Sequence, residues 1–299
     1  MKSVYRTLKF LFEHPLSEVG RLRVLLRYLR WQVSSLVLDR QSLIPWVGES
    51  KYLLRRGETG LSANFYVGLA DFEEMCLILH LLRRTDLFVD IGANVGSYTI
   101  LASAAAGANT VSVEPVPETY EKLRMNVVVN EVNAKVRLLN IGIASLEGSL
   151  QFITGQDTRN RVVPEGSAVK ADQVASIAVK RLDDVIGADI PLVIKVDVEG
   201  YEAEVFAGAS KTLSDPGLRV LIVEYNECAA SYYSDSRSVL DYLSGFGFEA
   251  VEYHPYEREI SKSELHITPS NNVILVRDIE FVQARVKSAG SYSIFGVRV

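Results

Sequence analysis

From residue 87 onward, short apolar runs alternate with longer amphipathic stretches. The runs are LFVDI (87–91), TVSVE (110–114), VRLLN (136–140), LVIKVD (192–197), VLIVE (220–224), FEAVEY (248–253) and NVILVR (272–277). Each is five or six residues long and most are rich in Val, Ile and Leu, which predicts strands. Residues 96–106, 117–130, 201–213 and 236–245 between them predict helices. Such alternation implies an α/β fold, a mostly parallel seven-stranded sheet with helices on both faces. It breaks over 141–191, where LEGSLQF (146–152) predicts a turn into a strand, 156–161 a polar loop, and SIAVKRLDDVI (176–186) a strand and short helix.

Upstream, DFEEMCLILHLLRR (71–84) predicts a helix. Asp71 stands at its N-cap, Glu74 at the capping-box position, and Arg83 and Arg84 at the end where the dipole favours cations. His80 within it is expected to be structural. Residues 1–35 predict one or two helices, with Leu22, Leu25, Leu26 and Leu29 at helical spacing among Arg21, Arg23, Arg27 and Arg30. Residues 45–68, with Gly48, Gly57, Gly60 and Gly68, predict short strands and turns. The expected organisation is a basic helical extension over 1–60, an α/β domain over 61–277 and a tail over 278–299.

Composition adds limits. With 48% hydrophobic residues in a chain of 299, there is apolar material for a core, and disorder is excluded for the bulk. Cys76 and Cys228 are too few for a disulfide framework or a cysteine zinc site, so a reducing, cytoplasmic setting is expected. Leu8–Phe12 is too short for a signal peptide and runs into Glu13 and His14. The uncharged run Ile91–Val113 is long enough to span a bilayer, but its Gly, Asn, Ser and Thr content predicts strand, turn, helix and strand instead. Charge is uneven. Residues 1–56 hold eleven Lys/Arg against four acids, a net +7, on a chain whose net charge is −5. That balance does not suit a nucleic-acid enzyme. It suits peripheral contact of the basic segment with an acidic partner or the inner membrane surface.

The candidate chemistry lies at strand ends. In α/β sheets ligands bind beyond the carboxyl ends of the strands, which selects Asp90, Glu114, Asn140, Asp197 and Glu224. Asp90-Ile91-Gly92-Ala93-Asn94-Val95-Gly96 follows a strand and opens a helix. Asn94 and Ser97 break the dinucleotide fingerprint, which argues against a nicotinamide dehydrogenase. An acid ending the first strand suits a cationic amino-acid group, and Glu114 at the next strand end can accept two ribose hydroxyls. Both acids around a glycine turn form the pattern of S-adenosylmethionine (SAM) sites. Asp197 or Glu199 could remove a proton from an alcohol, or Asp197 could merely cap the next helix. Tyr201 and Tyr225 could add cation–π contact. Asp197, Glu224 and Asn226 could instead hold Mg²⁺. His254 and His266 are alternative bases, or surface histidines.

VDIGANVGSYTILAS, VEPVPETYEKLRMNV, IKVDVEGYEAEVFAGA and LIVEYNE resemble successive motifs of the FkbM family of SAM-dependent methyltransferases, over about residues 61–277. The resemblance implies a Rossmann-like methyltransferase fold acting on hydroxyls of sugars, glycans or polyketides. It implies that Asp90, Gly92, Asn94, Gly96 and Glu114 line the cofactor. Asn140 or backbone is then expected at the adenine, because Asn140-Ile141-Gly142-Ile143-Ala144 lacks the acid many such enzymes carry there. It also implies that Asp157, Thr158 and Asn160, a D-T-x-N stretch in the insert, reach the substrate. Methylation of an amine and a catalytically silent SAM-binding module are the competing readings.

Overall fold

The computed structural model describes every residue except 1, 19, 38–40, 55–58, 154–160, 164–173 and 226–236. Its centre is an eight-stranded sheet. The strands are β1 (Leu87–Ile91), β2 (Asn109–Val113), β3 (Val136–Leu139), β4 (Val193–Val196), β5 (Val220–Glu224), β6 (Glu249–His254), β7 (Glu259–Lys262) and β8 (Asn272–Val276). Their order is β7-β6-β8-β5-β4-β1-β2-β3. The five strands from β5 to β3 are parallel; β8, β6 and β7 are antiparallel to their neighbours. This is the Rossmann-like α/β arrangement expected, with one strand more than the seven predicted. The added strand, EISK, lies on an edge and buries none of its residues, so no hydrophobic period betrays it in the sequence.

The strands alternate sides as the pleat requires. Phe88, Val193, Val220, Ile222 and Ile274 face one core layer. Val89, Ile194, Leu221, Val223 and Val273 face the other. Both layers are covered by helices: α1 (Lys2–Glu13), α2 (Arg21–Val37), α3 (Thr59–Val67), α4 (Phe72–Leu81), α5 (Ser97–Ile100), α6 (Pro117–Val129), α7 (Leu182–Ile186), α8 (Glu202–Ala207), α9 (Ser210–Ser214), α10 (Arg237–Ser244) and α11 (Ile279–Lys287). Val24 and Trp31 of α2, Met75 and Leu79 of α4, and Val282 and Val286 of α11 share the first layer.

Several segments differ from expectation for identifiable reasons. Residues 59–67 are helical rather than turns, because Leu61, Tyr66 and Val67 are buried and Phe65 and Tyr66 pack on Trp31 and Tyr28. The helix expected over 201–213 is split into α8 and α9 around Gly208, which passes so close to the Ala144 carbonyl oxygen that a Cβ there would lie 2.3 Å from it. After α5 the helix widens to a π turn over Leu101–Ala105. Asp71 and Glu74 do not form a capping box. The Tyr98 hydroxyl donates to Asp71 (2.9 Å), and Glu74 is buried, accepting from Ser270 Oγ and Asn272 Nδ2, both at 2.9 Å. At the other end of α4, Arg83 does serve the carbonyls, donating to those of His80, Leu81 and Leu82. His80 is structural as expected: it meets the Tyr253 hydroxyl at 2.6 Å, and burial lowers its pKa to about 4.

The segment between β3 and β4 forms a second sheet from Gly142–Ile143, Gly148–Ile153, Arg161–Val162 and Val174–Lys180. It has a small core of its own around Phe152, Ile177 and Val179.

The sheet is tightest where β1 ends. Gly92 adopts φ +78°, and a Cβ there would lie 1.8 Å from the Asp197 carbonyl oxygen. Gly92→Ala must therefore separate β1 from β4 and strain the turn. The expected loss is roughly 2–4 kcal/mol of unfolding free energy, measurable by urea denaturation. A stability equal to the parent would show that the two strands do not approach so closely.

Candidate active site

A cavity of about 390 Å³ opens at the carboxyl ends of β1, β2, β4 and β5, where the fold places ligands. One wall is backbone. The N–H groups of Gly92 and Ala93 both donate to the Val113 carbonyl at 3.0 Å, which folds the turn after β1 against the end of β2. Asn94 sits at φ +51°, and its N–H donates to Glu114 Oε2 at 2.9 Å, while Val116 N–H donates to Oε1 at 2.9 Å. Glu114 is thus aimed by two backbone contacts, and burial pushes its carboxyl up to about 7. Each carboxylate oxygen retains acceptor capacity.

Asp90, Gly92, Asn94 and Glu114 all line this cavity. Gly96 and Asn140 do not. Gly96, at φ +97°, lets α5 pack on Leu123 of α6, whose side chain lies 2.6 Å from where a Cβ would stand. The Asn140 side-chain amide donates to the Glu114 and Pro115 carbonyls at 2.9 and 3.0 Å, clamping the strand that presents Glu114.

The floor is charged and its central groups are buried. Lys195, 3% exposed, stands in β4 opposite Asp90 of β1 in the parallel register. Its ammonium donates to Asp197 Oδ2 at 2.6 Å and lies 4.7 Å from the centre of the Tyr98 ring. Burial alone would favour loss of its proton, but Asp197 and Asp90 outweigh that and hold its pKa above the ordinary lysine value. Asp90 accepts from Thr99 Oγ1 at 2.6 Å, and burial raises its pKa despite the lysine. Asp71 lines the same floor, raised to about 7 by burial and by Glu74.

Three carboxylates stand at the ends of β4 and β5, beside the glycine turn. Asp197, Glu199 and Glu224 bring oxygens within 4.8 Å of one another. Glu199 adopts φ +55° and its N–H donates to Glu224 Oε2 at 3.2 Å, so the tight turn after β4 faces Glu199 toward the end of β5. Glu202, the last acid of the run Asp197-Val198-Glu199-Gly200-Tyr201-Glu202, turns back to accept from Gly200 N–H at 3.0 Å. Three clustered carboxylates can accept a proton from an alcohol or supply hard oxygen ligands to a divalent cation.

Other candidates lie elsewhere. His266 pairs with Glu73 at 2.9 Å and His254 lies 3.2 Å from Ser261 Oγ; neither lines the cavity, and nor do Tyr201 and Tyr225. Asp157, Thr158, Asn160 and Asn226 fall outside the described residues. The insert nevertheless reaches the cavity through Phe152.

Lys195, Asp71 and Tyr98 are cavity residues that strand-end reasoning missed. For Lys195 a signal existed: a lysine inside the apolar run LVIKVD, two positions before Asp197, points to the same side of the strand as that acid. A buried lysine needs such a partner.

The Methyltransferase FkbM domain family matches residues 90–250. The hexuronic acid methyltransferase AglP of Haloferax volcanii is 30% identical over 151 residues, 50% of this chain and 59% of AglP. Methyltransferase sdnD of Sordaria araneosa is 27% identical, over 47% of this chain and 66% of sdnD. This chain therefore spans less than two thirds of the length of these relatives, 59% of one and 66% of the other. A putative rRNA methylase from Clostridium thermocellum superimposes with a TM-score of 0.42 at 9% identity, over 68% of this chain and 92% of that one. The family match takes in more than half of the chain and encloses the glycine turn, Glu114 and all three clustered carboxylates; the chain belongs to the FkbM methyltransferase family.

Proposed function

We propose that this protein is a SAM-dependent O-methyltransferase acting on a hydroxyl of a sugar, glycan or polyketide-like acceptor. The observation that carries the reading is one cavity with two unlike halves: a backbone cradle closed by Glu114 at the ends of β1 and β2, and a carboxylate cluster at the ends of β4 and β5. The cradle suits the cofactor, because no side chain fits at Gly92 and the buried Glu114 can accept from a ribose diol. Asp90, Gly92, Asn94 and Glu114 would hold it. When bound, SAM supplies a methyl group activated on a sulfonium centre. AglP, by its name a hexuronic acid methyltransferase, supports a sugar acceptor.

The chain's own residues orient the acceptor hydroxyl and take its proton. Asp197 is already engaged by the Lys195 ammonium. Glu199, held in the left-handed region beside Glu224, is assigned as the proton acceptor, with Glu224 beside it. Mg²⁺ held by Asp197, Glu199 and Glu224 is the competing way to activate the hydroxyl, because the three oxygens are close enough to share a cation. An anionic membrane surface is a further partner in this reading, through the basic N-terminal segment.

The Glu114 carboxyl titrates near 7 instead of the usual 4.5. The folded chain therefore holds this proton more tightly than the unfolded chain. The resulting stability is complete below about pH 4.5 and is lost as pH rises through about 7. A ribose diol donates to the ionised form, so SAM binding should strengthen as pH rises from 6 to 8, and Glu114→Gln should flatten that profile. Titration calorimetry showing a pH-independent affinity in the parent would remove Glu114 from the site.

Glu199→Gln keeps the side-chain shape and removes the base. Turnover should fall by roughly 10²–10⁴ with SAM affinity little changed, and EDTA should leave the parent rate intact. An EDTA-sensitive enzyme restored by Mg²⁺ would replace the base by a metal. A Glu199→Gln variant keeping most of its rate would favour an amine acceptor, which needs no strong base.

A further inference from the structure

We propose that α2 is an interfacial helix that seats the protein on an anionic membrane, with its Leu22, Leu26, Leu29 and Val33 face in the lipid. These residues are 69%, 55%, 48% and 63% exposed. Their spacing of four, three and four residues puts them within an arc of about 60° at 100° per residue. Single exposed apolar residues need no explanation, but a continuous stripe of four large ones on one helix face does.

The opposite face is fully used. Val24 and Trp31 are buried, Trp31 and Tyr28 pack on Phe65 and Tyr66 of α3, and the Arg27 guanidinium lies 3.6 Å from the centre of the Phe295 ring. The helix is therefore anchored to the body by one side and presents the other outward.

Charge selects the occupant. Arg23 and Arg30 are exposed on one flank of the stripe and Arg21 on the other. Arginines flanking an apolar stripe are the pattern of a helix lying in the headgroup layer, their stems along the lipid and their charges at the phosphates. The body is net −12 beyond residue 56, against +7 before it, so an anionic surface attracts this segment and repels the rest. Among the described residues no helix is long and apolar enough to cross a membrane, so α2 lies on the surface.

The docking helix packs on α3, which also walls the cavity. A groove of about 480 Å³ runs between α1, α2 and α3, walled by Arg6, Phe10, Tyr28, Gln32 and Tyr66. Ala63 of α3 lines both this groove and the cavity. On α2, Tyr28 and Gln32 sit on the flank shared with Arg21. An acceptor carried on a lipid would thus be held on the side of the domain where α3 walls the cavity. This consequence rests on the proposed activity; the docking does not.

The test is sedimentation of the full chain with vesicles, without cofactor or acceptor. The protein should bind phosphatidylglycerol-containing vesicles at low salt, bind phosphatidylcholine vesicles weakly, and lose affinity as salt rises. The Leu26→Ser/Leu29→Ser double variant should bind roughly tenfold or more weakly. Arg23→Gln/Arg30→Gln should lose roughly fivefold per arginine and much of the salt dependence. All four positions are outside the cavity, so SAM affinity by calorimetry should not change in either variant. Loss of SAM binding in the parent would therefore strike the proposed activity and leave the docking standing. The docking is overturned if anionic vesicles fail to sediment the parent at low salt, or if both variants sediment as the parent does. It is equally overturned if the parent is a dimer that Leu26→Ser/Leu29→Ser converts to monomer, since the stripe would then pair with a second copy.

Discussion

A lysine ammonium with almost no solvent exposure stands at the centre of the sheet, and the cavity is arranged around its charge. Lys195 cannot remain there unpaired, because an isolated buried cation costs far more than any packing gain offsets. Asp90 on the neighbouring strand and Asp197 at the end of its own compensate it. That requirement ties the register of β1 and β4 to the chemistry. A slip of β4 by one residue would turn Lys195 to the face of the sheet away from Asp90. Gly92 then lets the two strand ends close to a distance that admits no side chain.

The two halves of the cavity are supported differently. The glycine turn and Glu114 are held by main-chain hydrogen bonds to Val113, Asn94 and Val116. Such a wall is stiff, because its donors belong to strand ends and cannot rotate away. The carboxylate half depends on a tight turn with Glu199 in the left-handed region and on Glu224 accepting its N–H. A buried polar cluster supports the floor beside it. Glu74 of α4 collects Ser270 and Asn272 from the start of β8, locking the helix that precedes the cavity to the antiparallel side of the sheet. The N-terminal and C-terminal segments join the same apolar layer as α4, so the segment carrying α2 is packed onto the sheet through that layer.

The strand positions, the parallel sheet, the glycine turn and the acids at the strand ends were legible in the sequence. Strands buried on both faces must be continuous apolar runs, and a carboxylate that ends such a run has only the carboxyl edge of the sheet to occupy. The edge strand Glu259–Lys262, the helix over Thr59–Val67 and the break at Gly208 were not legible. The first two are decided by what lies against them, an open edge and the aromatic faces of Trp31 and Tyr28; the third passes close to the Ala144 carbonyl. The inward turn of Asp71 and Glu74, away from a capping box that their spacing matches, was also a tertiary decision. Tyr98, Ser270 and Asn272 offer them donors in the interior, and a buried carboxylate with several donors there is better satisfied than one capping a helix end. Local spacing specifies elements whose partners are near in the chain. Groups whose partners lie a hundred or more residues away, as Lys195 and Asp90 do, find their roles only when the sheet brings those partners alongside.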